Sequence, residues 1–250
     1  MRVALIHSQY RRQGGAETYF LDLVAGFASA GHQVDVYVFK YDRSLSVPNN
    51  VSIRLWHRPG LPKILKKWYF AHWVNRQLQR HQYDLTLSNT RTIGQQIMIC
   101  GGCHAGHLVR LQKRPSLLKD QIELALEKQA YQGAVYIIAH SQQIATELAQ
   151  HYPKVRDKIV TLYPPCDIGR FSRALSTKRI ALRQQFAMTN EQVNLVFPSS
   201  GNKKMKGHYL LLKAMALLPP DHYQLFLAGS DKQPNQPHVH ALGFVEDMPA

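Results

Sequence analysis

Three short stretches carry residues that could do chemistry: Gly14 and Gly15 in GGAETYF (14–20), Cys100, Cys103, His104 and His107 in ICGGCHAGHL (99–108), and Lys203, Lys204 and Lys206 in GNKKMKG (201–207). The second has the form of a c-type haem attachment site, and its two cysteines and two histidines also suggest zinc. Haem attachment belongs to exported or oxidising compartments and needs a second axial ligand in an apolar pocket. Structural zinc sites separate two ligand pairs rather than crowding four ligands together. A redox Cys-x-x-Cys opens a helix after a strand near the chain's start, whereas here two glycines fill the loop and a histidine follows. Loop cysteines packed at the end of a strand account for the motif better than any of these three.

The glycine pair lacks G-x-G-x-x-G spacing, so it is no dinucleotide fingerprint. Adjacent glycines nevertheless let backbone approach a ligand, and the helix start that follows offers free N–H groups and a positive dipole end to a phosphate. A tight turn packing helix on sheet would use the same residues. In GNKKMKG the lysines lie between glycines ahead of a helix, where a cation can neutralise a departing diphosphate. A solvated basic turn is the alternative.

The elements that would position these groups alternate. RVALIH is an apolar run of strand length ending in the polar loop SQYRRQGG; Phe20, Leu23, Val24 and Phe27 then share one helical face that Gly31 stops, and QVDVYVF follows as a strand. This is a βαβ unit, hence parallel. The spacing continues with VSIRLW as strand, 63–81 as helix, YDLTLSN and QQIMIC as strands, a helix from about Leu117 to Gln132, VYIIAHS as strand, Ser141 capping a helix that ends near His151, and a last strand in KIVTLYPP. Strands alternating with helices predict a doubly wound α/β domain over residues 1–168. From 169 to 250 a basic connecting helix, STKRIALRQQF, leads to a second start: NLVFPSS, HYLLLKAMALL and YQLFLAGS read strand, helix, strand.

Lys and Arg number 31 against 16 Asp and Glu, a formal +15, so the surface attracts anions: nucleotide phosphates, nucleic acid or an acidic membrane. Three cysteines are too few for a disulfide framework, and reduced thiols in a cytoplasmic protein are expected. No export signal and no transmembrane run is expected either. Against nucleic acid as partner, the basic residues are spread along the chain and no recognition motif appears.

In their order, RVALIH with GGAE, AGHQVDVYVF, AHSQQIATEL, IVTLYPPCDIGRF, Lys206-Gly207, LFLAGSD and VHALGFVEDMP resemble the retaining glycosyltransferases of family 4, closest to the branch that adds sugars to the lipopolysaccharide core. The resemblance implies a GT-B type α/β fold: a complete N-terminal Rossmann-like domain on the acceptor side, plus the start of a second that binds a nucleotide-sugar. It implies donor diphosphate binding by Gly14, Gly15 and Lys206, a cleft role for His104 with His107 as the weaker alternative, transfer to a glycan or glycolipid hydroxyl with retention, and no metal or other cofactor. The family's Gly-Arg pair is replaced by Ser200-Gly201, so Lys203 or Lys204 would supply the missing charge. The family's paired glutamates, eight apart, have no counterpart up to Ala250. The expectation is a longer protein, a chain that needs a partner, or a noncatalytic remnant.

In KILKKWYFAHWV (63–74), Ile64, Trp68 and Ala71 form one stripe with Leu78, leaving Tyr69, Phe70 and Trp73 outside it. Rings beside Lys63, Lys66 and Lys67, with Trp68 and Trp73 among them, suit an anchor on an anionic leaflet at the inner membrane face. A helix buried on two sides is the alternative.

Overall fold

The apolar run after Arg2 forms strand β1 (Arg2–Ile6), with four successive residues buried, as befits the interior of a parallel sheet covered on both faces. A computed structural model describes residues 1–12, 14–115, 118–169, 171, 176–189, 191–198, 206–229, 234–243 and 245. The chain divides into two compact units, Met1–Pro164 and Pro165–Ala250.

In the first unit β1 leads to α1 (Gly15–Ser29), β2 (Gln33–Val38), β3 (Val51–Leu55), α2 (Lys63–Arg80), β4 (Leu85–Ser88), β5 (Ile97–Cys100), α3 (His104–Arg110), α4 (Lys119–Gly133), β6 (Tyr136–Ala139), α5 (Gln142–His151) and β7 (Ile159–Thr161). The seven strands make one parallel sheet in the order β3-β2-β1-β4-β5-β6-β7. Phe20, Val24 and Ala28 of α1 are buried in a core with Val3, Leu5, Val36 and Leu87. Gly31 ends that helix at φ +79, in the left-handed region where glycine is least penalised. Ser141 caps α5 by accepting from the Ile144 amide at 3.3 Å.

Two elements differ from the sequence reading. The segment after Cys100 is not all loop: seven residues of it form α3, too few for a periodicity to show. In α2 the buried side chains are Phe70, Ala71 and Val74, packed with Tyr37 and, partly, Trp73 and Leu78. Phe70, left outside the expected stripe, is 2% exposed because Phe39, Trp56 and Trp73 surround its ring; burying such a ring is worth roughly 1.5–3 kcal/mol. Tyr69 remains exposed, and Lys67 pairs with Glu123 of α4. Of Lys63 and Ile64 only the backbone is described.

The second unit contains α6 (Ser176–Gln185), β8 (Val193–Pro198), α7 (His208–Met215), β9 (Tyr223–Ala228) and β10 (Val239–Gly243). Its strands are parallel in the order β8-β9-β10, and Met215, Leu225, Leu227 and Val239 form its core. Gly207 heads α7 at φ +76.

Candidate functional site

The strand order reverses between β1 and β4, and in an open parallel sheet ligands bind outside the carboxyl ends of the strands at that switch. His7 directly follows β1 and is only 5% exposed. Its Nδ1 lies 3.2 Å from the Asn89 carbonyl, to which it donates, and Nε2 has no partner among the described residues. Burial pushes the imidazole below its usual pKa, so it is neutral at pH 7. Asn89, just past β4, donates through Nδ2 to the Ala16 carbonyl at 3.3 Å and so fastens the first turn of α1 to the crevice.

Gly14 caps α1 with an extended backbone (φ −151°) and no side chain to fill the helix end. Glu17 folds back there, its Oε1 accepting from Gln9 at 3.1 Å, and a Cβ at Gly14 would stand 2.9 Å from its Oε2. Around Gly15 the chain is open: a Cβ there would meet nothing within 4 Å. Among the described residues nothing requires glycine at 15, and a helix start is a place where an anion can bind.

The other glycine loop of this rim is built differently. Cys100 ends β5 and Cys103 caps α3, its sulfur accepting from the Gly106 amide at 3.5 Å. Both cysteines are buried; burial pushes the Cys103 thiol up to about 11 and raises that of Cys100 as well. Both are therefore thiols at neutral pH rather than the thiolates that metal binding or redox exchange uses. The amides of His104 and Ala105 donate to the Glu127 carboxylate at 2.5 and 3.2 Å. Glu127, fully buried on α4, also accepts from Arg91 (2.9 Å), Tyr131 (3.2 Å) and Tyr152 (2.8 Å). An internal anion thus fills the start of α3. The His104 ring is 16% exposed, with Nε2 at 3.0 Å from Asp120 Oδ1; donation to that carboxylate orients the ring and leaves Nδ1 of the neutral imidazole as an acceptor. The His107 ring centroid lies 6.3 Å from that of His104.

Gly14, Gly15 and His104 therefore share one rim, with β5 two strands from β1, about 10 Å at the usual strand spacing. Lys206 belongs to the second unit, where its Nζ donates to the Pro198 carbonyl at 3.3 Å. Lys203, Lys204, Ser200 and Gly201 lie outside the described residues. Sequence reasoning missed His7, Asn89, His140 and the Arg91–Glu127 pair. His140, directly after β6, has Nε2 without a partner among the described residues, a pKa lowered by burial, and the Tyr19 ring edge-on at 5.0 Å. His7 and His140 each close an apolar strand run, and that polar last residue is the signal available for them. Arg91 and Glu127 stand 36 residues apart with no local pattern to join them.

A doubly wound parallel unit with an open helix start at its switch point, followed by a second parallel unit, defines the GT-B class of protein. The sequence profile described as Glycosyltransferase Family 4 matches residues 13–170, and the chain belongs to that family. It is 29% identical over 248 residues to a probable transglycosylase of Burkholderia thailandensis, covering 99% of this chain and 68% of that protein. In structure it is similar to WaaG, a glycosyltransferase involved in lipopolysaccharide biosynthesis (TM-score 0.85, 18% identity, 99% of this chain and 71% of that one). It is also similar to Anabaena HepE in complex with UDP-glucose (TM-score 0.69, 19% identity, 100% of this chain and 70% of that one). Among the described residues no helix is long and apolar enough to cross a membrane.

Proposed function

We propose that the chain serves transfer of a hexosyl group from a nucleotide-sugar to a glycan or glycolipid hydroxyl, with retention, in synthesis of lipopolysaccharide or another cell-surface glycan. In that reaction the bond from the anomeric carbon to the diphosphate breaks, the acceptor oxygen takes its place on the same face, and the acceptor proton leaves. The observation that carries the reading is the start of α1: a side-chain-free cap at the switch point, where Glu17 folds back toward Gly14 and where, among the described residues, nothing lies within 4 Å of a Cβ at Gly15. Amides and dipole there suit the charge of a nucleotide's phosphates, and Lys206 adds a cation, with Lys203 in the same role. The reading requires no metal, because helix start and lysines take that part. His104, oriented by Asp120, is the group assigned to the donor sugar.

The bound UDP-glucose of HepE and the lipopolysaccharide role of WaaG support the donor and acceptor classes. A cytoplasmic site of action at the inner membrane face belongs to the same reading, with Lys66 and the exposed Tyr69 as what α2 offers to an anionic leaflet. Flotation with anionic and neutral vesicles tests that part. The main test is calorimetric titration with UDP, GDP and ADP: one of them binds, and Lys206→Ala weakens it about tenfold. Absence of binding by all three, with steeply salt-dependent binding of arbitrary duplex DNA in its place, would overturn the proposal.

A further inference from the structure

All three tryptophans of the chain, Trp56, Trp68 and Trp73, line one open cavity of about 370 Å³ on the first unit. That volume lies within the range of small-ligand sites. Trp56 directly follows edge strand β3, at the carboxyl end of the sheet, and α2, which supplies five of the lining residues, packs on the face of the sheet opposite α1. Its rings are held in place: Trp73 packs on Tyr37 and Phe70 at 5.5 and 5.9 Å, Trp56 on Phe70 at 6.0 Å, and Trp68 on His72 at 4.6 Å. Trp68, His72 and Arg76 follow one another at i, i+4, i+8 along α2, a row adjoining the buried Phe70 and Val74.

The polar groups of the cavity are cationic or neutral. Arg58 lies over the Tyr69 ring at 5.0 Å, and neither it nor Arg76 has a carboxylate partner among the described residues. No carboxylate stands among the described lining residues. His72 donates from Nδ1 to the Trp68 carbonyl at 2.9 Å, which leaves Nε2 of the neutral ring as an acceptor. Fixed aromatic faces accept the C–H faces of a pyranose, guanidiniums pair with a carboxylate or phosphate, and the imidazole nitrogen takes a hydroxyl proton.

We propose that this cavity binds an anionic pyranose, bearing a carboxylate or a phosphate, of the acceptor glycan. That the sugar belongs to the acceptor rests on the transferase reading; that the cavity binds it does not.

Because every tryptophan lies here, intrinsic fluorescence reports on this cavity. The protein is titrated with tetragalacturonate and with glucose 6-phosphate, against maltotetraose, inorganic phosphate, phosphatidylglycerol vesicles and oligothymidylate. At least one anionic sugar gives a saturable change, about tenfold tighter than maltotetraose or phosphate, and Arg58→Gln/Arg76→Gln loses about tenfold. Arg58→Gln alone, changing an exposed side chain, gives part of that loss should the double variant fail to fold. Equal response to maltotetraose or to phosphate, saturation by vesicles or oligothymidylate alone, or no response at all overturns the proposal. Titration with UDP, GDP and ADP on the same sample separates the two readings: binding of one of them without sugar binding refutes this inference alone, and sugar binding without binding of any of the three refutes the transferase reading alone.

Discussion

Two helices begin after glycine pairs on the same rim of the same sheet, and they treat their free amides in opposite ways. At α1 the cap is Gly14 and the space at Gly15 is open. At α3 a buried sulfur and a buried carboxylate fill the end before any ligand can. A glycine loop ahead of a helix therefore does not by itself make an anion site. Both starts carry an acid of the chain, and what distinguishes them is what that acid holds: Glu127 accepts from two amides of α3, whereas Glu17 accepts from the Gln9 side chain and, among the described residues, from no amide of α1. The filled start gains rigidity and an oriented His104; the other keeps its amides for something outside the chain.

The sharpest way to break this comparison is to remove the internal acids. Glu127→Ala leaves Arg91 without its fully buried partner and strands two amides, and should cost about 3–5 kcal/mol in urea unfolding. Glu17→Ala at the open start should cost less than about 1 kcal/mol. Equal costs would mean that the two starts are not different in kind.

Next in size are the glycines. A Cβ at Gly15 or at Gly102 would meet nothing within 4 Å, so alanine at either position should leave the melting temperature essentially unchanged. Gly15→Ala should nonetheless weaken nucleoside diphosphate binding, or slow sugar transfer, about tenfold, while Gly102→Ala should do neither. Identical behaviour of the two variants would remove the reason for placing a ligand at α1.

A smaller effect is expected of Asp120→Asn, which keeps the volume but loses the charge that orients His104. The turnover number should fall about threefold to tenfold with little change in KM, whereas a purely structural role for Asp120 would show in stability and not in turnover.

The smallest concerns acid. Burial alone would raise the pKa of Glu123, but Lys67, Arg91 and His104 outweigh it and hold the carboxyl below its usual value. A carboxylate with a depressed folded-state pKa contributes stability that is complete above its unfolded value, about 4.3, and that is lost as pH falls through the folded one. The melting temperature should drop below about pH 4.5, less steeply in Glu123→Gln, while the α1 region, with no such network, shows no matching step in hydrogen exchange.

Much of the fold is legible in the residue order. The run VALI, the helical face of Phe20 and Val24, and the stop at Gly31 act locally, so their periodicities survive any tertiary context. The site is legible only in part. Gly14, Gly15 and His104 carry recognisable spacing, yet the role of Cys103 as a helix cap and the short α3 behind it have no periodic signature. Of the expected stripe on α2, Ala71 is buried and Leu78 partly so, but Phe70 was left out of it: three flanking rings, from the residue after β2, from the residue after β3 and from α2 itself, select Phe70, and helical spacing alone does not count neighbours.

Alternating apolar runs broken by glycines were enough to dictate a parallel, doubly wound sheet and to mark which loops stand at its carboxyl ends, since both follow from local geometry and chain connectivity. Whether such a loop is vacant or already satisfied depended on a carboxylate 23 residues further along, brought beneath His104 by the packing of α4. Electrostatic completion of a helix end is a contact between distant segments, and only the folded chain brings those segments together.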